Sequence, residues 1–246
     1  MNICCKLAYD GKDFFGFQAQ NTGQTIEGSL LQTLHRIEGR KIKLYAAGRT
    51  DSGVHARGQV INFNTSRSDL TTEKWKDALN GNLPPAIRIM ETKEVDEDFH
   101  ARYSAKAREY WYYIYNNDVM DPFFRNYSYM VRHRLDIDRL NELALPLQER
   151  QLDFSSFCLN KPDENIRMVR SINTIKFYRQ EKMVIMKIKA RSFLHSMVRI
   201  IVGTLLKFTA EKKGIEDLEQ LIQVRDNRQA GPSAPAWGLF LHKVYY

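Results

Sequence analysis

Cysteine is scarce in this chain: Cys4, Cys5 and Cys158 are the three among 246 residues. They show no metal-ligand spacing and no even disulfide set. The neighbours Cys4 and Cys5 would point to opposite faces of a strand and so cannot chelate together. Long apolar runs are missing too. A spanning helix needs about 20 apolar residues, and the best candidate, Ile200 to Phe208, is broken by Lys207 and preceded by His195 and Arg199. Met1 to Leu7 is too short for a signal peptide and runs straight into Asp10-Gly11. The expectation is a reduced, metal-free cytoplasmic protein that does not enter a membrane. Gly-x-x-x-x-Gly-Lys-Ser/Thr, Gly-x-Gly-x-x-Gly, His-Glu-x-x-His and Gly-x-Ser-x-Gly are all absent. There is no low-complexity tract and no repeat with a period of roughly 20–50 residues.

Negative charge is in deficit as well. Lys plus Arg number 37 against 29 Asp plus Glu, a net charge of +8. Such an excess favours a polyanionic partner, nucleic acid before anionic membrane, although many basic proteins bind nothing anionic.

The length fits one large domain or two fused halves. Periodicity predicts a strand over Ile3–Tyr9, a helix from about Thr25, and strands ending at Ala46 and covering Val60–Phe63. A short helix near Thr72–Asn80 and a strand over Ile87–Val95 follow. The aromatic run Ala107–Tyr115 reads as a strand, and Asp136 as the cap of a helix. Met168–Tyr178 and Met183–Ala190 read as a hairpin. Helices over Phe193–Ala210 and Ile215–Val224 and a closing strand over Leu239–Val244 complete an α+β chain with a largely antiparallel sheet.

Four segments could carry chemistry. In residues 47–59, Gly48 and Gly53 bracket Asp51, with Arg49 before it and His55 and Arg57 after. Glycines so placed allow a sharp turn and close approach of a ligand, and a carboxylate presented there can serve as nucleophile or base. Taken alone, the same pattern is more often a polar turn that caps its own backbone. Asp51-Ser52-Gly53 also matches the aspartic-protease triplet, but that chemistry needs two such aspartates and the chain has one.

The second segment, Asp98–Tyr110, alternates cations with aromatics, which suits RNA phosphates and unpaired bases as well as it suits a strand edge. In the third, His195 and Arg199 would share a helix face with Gly203. Arg199 there needs a partner to be buried; Asp51 is one candidate, another acid the alternative. The fourth, Arg225–Leu241, reads as a structural loop entering the last strand.

Together these segments resemble the TruA family of tRNA pseudouridine synthases. The matches are Gly48–Ala56, Phe99–Ala105 through Arg108-Glu109-Tyr110, Phe193–Gly203, and Ala230–Pro235 to Gly238–Leu241, with Tyr9-Asp10-Gly11 and Phe15–Gln18 at the start. The resemblance implies two RRM-like (ferredoxin-like) halves, 1–104 with the Asp51 loop and 105–246, forming a largely antiparallel central sheet flanked by helices, with the active-site cleft between them. It implies a homodimer that isomerises uridine to pseudouridine at positions 38, 39 and 40 of the tRNA anticodon arm without cofactor or metal. It makes Asp51 the catalytic nucleophile, paired with Arg199. Tyr110 would stack under the extruded uracil, Arg49 would hold the vacated space or a phosphate, and His55 and Leu241 would join the substrate-binding set. Phe17, Ala19 and Trp237 depart from the usual pattern. They motivate the alternative of another RNA, such as ribosomal RNA; a catalytically silent RNA-binding or RNA-folding protein is the other alternative.

Overall fold

A computed structural model describes residues 1–159 and 167–246. They form two compact units, Met1–Lys106 with Phe240–Tyr246, and Ala107–Leu239. Among the described residues, ten strands and five α-helices make the mixed α+β architecture that the sequence pattern predicts, with pairing mostly antiparallel. Among the described residues, no helix is long and apolar enough to cross a membrane.

The first unit runs β1 (Asn2–Tyr9), α1 (Ile26–Glu38), β2 (Leu44–Ala46), β3 (His55–Asn64), α2 (Thr72–Asn82) and β4 (Ile87–Val95). Its sheet order, β4-β1-β3-β2, is all antiparallel, and the βαββαβ sequence with that order is ferredoxin-like. Helix α1 starts where the Thr25 side chain accepts from the Gly28 N–H, and it stops at Gly39, whose φ of 73° closes the last turn. Ile26, Leu30 and Leu34 are buried along one stripe. Helix α2 begins at the Thr71 cap and buries Trp75, which meets the Phe63 ring edge-on at 5.2 Å.

The outer edge of β3 is shared. Residues 61–63 pair with β2. Its first residues pair with the last strand, β10 (Leu239–Tyr245), in parallel, Phe240 opposite His55 and Leu241 opposite Ala56. The loop between β2 and β3 therefore springs from the point where one edge partner gives way to the other. The sequence pattern places the start of this strand at Val60. It begins five residues earlier because His55 and Ala56 are already held by β10 and β1.

The second unit contains β5 (Ala107–Asn116), β6 (Tyr129–Val131), α3 (Ile137–Ala144), β7 (Gln151–Asp153), β8 (Val169–Gln180), β9 (Met183–Ala190), α4 (Met197–Ala210) and α5 (Ile215–Val224). Its strands run β6-β5-β9-β8-β7, with only the β5–β6 pair parallel among these. Helix α4 is buried nearly all round, from Met197 to Phe208, as its almost continuous apolar sequence requires.

Candidate active site

Asp51 is half-buried, and the backbone around it is fixed from two sides. On one side lies the turn after β1. Phe17 N–H donates to the Thr50 carbonyl at 3.0 Å, Gly53 N–H to the Phe14 carbonyl at 3.4 Å, and Ser52 Oγ to the same carbonyl at 3.2 Å. Gly16, with φ of 88°, lies tight against the loop: a Cβ would sit 3.0 Å from Thr50 O and 3.3 Å from the Asp51 carbonyl carbon, so the backbone there would have to shift. Only glycine adopts that φ at little cost while letting the loop approach so closely.

On the other side stands Gln59, which is 0% exposed. Its Nε2 donates to Gly48 O at 2.7 Å, while its Oε1 accepts from Gly48 N at 3.3 Å and from Val60 N at 3.1 Å. Tyr9 extends the network, its hydroxyl 2.8 Å from Thr50 Oγ1 and 3.5 Å from Gln59 Nε2. Burial pushes the Tyr9 phenol well above its ordinary value, so it remains a neutral hydroxyl. Each bond is worth about 1 kcal/mol net, but a buried partner left unmade costs about 1–3 kcal/mol. The chain thus presents one carboxylate from a loop that is otherwise tied down. Sequence reading missed Gln59 and Tyr9 as parts of this arrangement; the available signal was an amide directly before the run Val60–Phe63.

The other sequence-predicted residues of this unit take different places. Arg49 is exposed and makes no hydrogen bond or ion pair among the described residues, so its charge faces solvent beside Asp51. His55 is 1% exposed. Its Nδ1 lies 3.1 Å from Gly11 N and 3.0 Å from Asp10 Oδ1, and its ring stacks on Phe240 at 4.6 Å. A bare Nδ1 accepts from Gly11, whereas a protonated one donates to Asp10; either form ties the ring to the turn after β1. Leu241 is fully buried on β10. What both present beneath the loop is packing. Phe17, one of the departures from the family pattern, is likewise 1% exposed.

In the second unit, Tyr110 lies on β5, 8% exposed and edge-on to Phe193 at 5.2 Å. Two residues earlier on the same face, Arg108 Nη1 donates to the Arg191 carbonyl at 2.5 Å. The segment 191–195 is therefore laid over this face of β5. It is not helical. Ser196 adopts φ of 55° and α4 starts at Met197, so His195 stands outside the helix and does not share a helical face with Arg199. The apolar pattern extends back to Phe193, but a left-handed serine breaks the helix after it.

Arg199 occupies the first turn of α4, half-buried, with Nε donating to Ala234 O at 2.7 Å and its own carbonyl accepting from Ala234 N at 3.1 Å. The loop 230–235 is strapped along this helix. Gly231 N donates to Thr204 Oγ1 at 2.9 Å, and a Cβ on Gly203 would come within 1.7 Å of Pro232 O. Tyr112 Oη donates to Pro235 O at 2.8 Å; burial raises its phenol, and the charge of Arg199 acts on it in the opposite direction. The fourth segment of the sequence is thus the clamp on the Arg199 helix. Asp51 and Arg49 belong to the first unit, Tyr110 and Arg199 to the second.

Against known proteins, a family model described as tRNA pseudouridine synthase matches residues 7–104 and 151–246. A relative named tRNA pseudouridine synthase A from Halalkalibacterium halodurans is 43% identical over 238 residues, covering 96% of this chain and 89% of its own. Proteins of the same name from Dictyoglomus thermophilum and Brachyspira hyodysenteriae are 41% and 37% identical, covering all of this chain and 100% and 98% of theirs. The matched blocks include the Asp51 loop, the Arg199 helix and its clamp, and with relatives this similar along the full length, the chain belongs to the tRNA pseudouridine synthase family.

Proposed function

We propose that this chain isomerises uridine to pseudouridine in tRNA, with uridines 38, 39 and 40 of the anticodon arm as targets and Asp51 as nucleophile. The observation that carries the reading is the presentation of Asp51: a half-buried carboxylate on a loop whose neighbouring backbone is held by Phe14, Phe17 and Gln59. The reaction balances without oxidant or reductant. The N1–C1′ bond breaks, a C5–C1′ bond forms, C5 gives up its proton and N1 takes one.

The uridine must first leave its stack, at a cost of a few kcal/mol. Stacking on an aromatic ring returns about 1–3 kcal/mol, and Tyr110 is assigned that part. Its ring is 8% exposed, with Phe193 edge-on against it, so room must be made beside it when a base arrives. Arg49 is assigned to a phosphate or to the space the base vacates, and Arg199 to the charge of Asp51 in the bound state. A cytoplasmic homodimer that embraces one tRNA completes the reading.

Release of tritium from tRNA carrying 5-labelled uridine tests it. The protein should release label, and Asp51→Ala should release none while holding tRNA within about tenfold of the unmodified affinity, roughly 1.4 kcal/mol. Label released from ribosomal RNA but not from tRNA would sink the proposal.

A further inference from the structure

A second feature of the second unit lies far from Tyr110 on the same strand. At the end of β5, Asn116, Asn117 and Asp118 line a depression of about 370 Å³ together with Arg132, Arg134 and Arg179. At about 30 Å³ per water molecule this is room for roughly ten, enough for an anion and part of its hydration. Three arginines and one acidic residue, Asp118, are among its lining residues. Among the described residues none of the three arginines has an ion pair.

The depression is also built rather than accidental. Asn116 is 9% exposed and uses its whole amide. Its Nδ2 donates to Val131 O at 2.8 Å and His133 O at 2.7 Å, while its Oδ1 accepts from Leu135 N at 3.1 Å and Arg179 Nη2 at 2.9 Å. One buried side chain thus fixes the segment that carries Arg132 and Arg134 and also orients Arg179. Arg179 Nη2 bonds Leu135 O as well, at 2.9 Å, an acceptor without charge. The guanidinium is held in place by neutral acceptors and, among the described residues, makes no ion pair.

Planar guanidinium forks without carboxylate partners match phosphate oxygens in geometry and charge. We propose that Arg132, Arg134 and Arg179 form a docking site for the phosphate backbone of the RNA substrate, separate from the place where the base reacts. The inference rests on the proposed action on tRNA. Six residues of β5 at about 3.3 Å each put this site about 20 Å from Tyr110, so the phosphates it takes lie outside the flipped nucleotide. A peptide rich in acidic side chains is the competing occupant. The RNA reading is favoured because the chain carries a net charge of +8 and belongs to a family named for tRNA.

The test compares two double variants that each remove two positive charges from exposed positions of this unit. Arg132→Gln/Arg134→Gln alters the depression, and Lys176→Gln/Lys212→Gln leaves it intact. Affinity for whole unmodified tRNA is measured from 50 to 300 mM KCl. Each phosphate contact contributes a slope of about −0.7 to −0.9 in log K against log salt. The arginine variant should lose about 1.4–1.8 units of slope and at least tenfold in affinity at 100 mM KCl, with KM in the tritium assay rising alongside. The lysine variant should move less than threefold. Equal losses in both variants would mean net charge rather than a site, and an unchanged slope in the arginine variant would overturn the proposal, as would capture of an acidic peptide in preference to tRNA. An Arg132→Lys/Arg134→Lys variant guards against misfolding, since it keeps the charge and should keep most of the slope. A chain that releases no tritium from any tRNA but retains the arginine-dependent slope would refute the catalytic reading while leaving the docking site standing.

Discussion

The side-chain amide of Gln59 grips Gly48 by both of its backbone groups, donating to its carbonyl at 2.7 Å and accepting from its N–H at 3.3 Å. Gly48 lies in the loop between β2 and β3 that presents Asp51, so the position of the carboxylate depends on a neutral side chain buried in β3. Gln59→Leu should fold with a loss of about 1–3 kcal/mol, the cost of unmet buried polar groups, and should lower kcat at least tenfold with little change in KM. Gln59→Glu keeps the shape but, as a carboxylate, cannot donate to Gly48 O. Burial raises the pKa of such a group, so activity should recover as pH falls and the acid regains its proton. A pH–rate profile parallel to that of the unmodified protein would refute the positioning role.

Gly16 and Gly39 both have positive φ, 88° and 73°, but only Gly16 has the Asp51 loop against it. Alanine at either position should cost about 1–2 kcal/mol of backbone strain. Gly39→Ala meets nothing within 4 Å and should keep its activity. Gly16→Ala must push on Thr50 and Asp51, and should lose turnover well beyond its loss of stability. Comparing tritium release with thermal melting for the two variants decides the point.

The strap on α4 can be tested at Gly203. A methyl group there would sit 1.7 Å from Pro232 O, so Gly203→Ala must lift the loop 230–235 from the helix. Overpacking of this kind costs about 1–3 kcal/mol or more. For a chain of this size that corresponds to a fall in Tm of roughly 2–12 °C. Protease cleavage within 230–235 should quicken in parallel; equal cleavage rates in both proteins would argue that the strap is not held by this contact.

Burial pushes the Cys4 thiol from 9.0 up to about 11 and the neighbouring Cys5 thiol further in the same direction. The folded chain therefore keeps protons that the unfolded chain releases. The stabilising contribution is complete below about pH 9 and declines between pH 9 and 11. Urea midpoints should fall across that window and stay nearly flat from pH 7 to 8.5. Because the thiolate is the reactive form, alkylation of Cys4 and Cys5 at pH 8 should follow global unfolding; rapid labelling of either residue in native protein would contradict this burial.

Much of the local structure can be read directly from residue patterns. Thr25 and Asp136 announce helix starts, and the strand Ile87–Val95 and helix Ile215–Val224 lie where periodicity puts them. What escapes the pattern depends on distant partners. Tyr129–Val131 and Gln151–Asp153 are strands of three residues that exist because β5 and β8 supply an edge. His55 joins a strand because Phe240, remote in sequence, lies opposite it. The Asp51 motif is legible in its residue types, whereas the hold exerted by Gln59, Tyr9 and Gly16 becomes visible only once β1, β3 and their turns are assembled.

The pairing of β10 with the start of β3 also sets an order of events during synthesis. Residues 1–106 can pack a core soon after they are made, yet the edge beside His55 and Ala56 stays open until residues 239–245 leave the ribosome. More than a hundred intervening residues must be translated first. Until then the strand that anchors one end of the Asp51 loop has a bare flank, and a nascent chain stalled in that interval carries the nucleophile on an unfinished sheet.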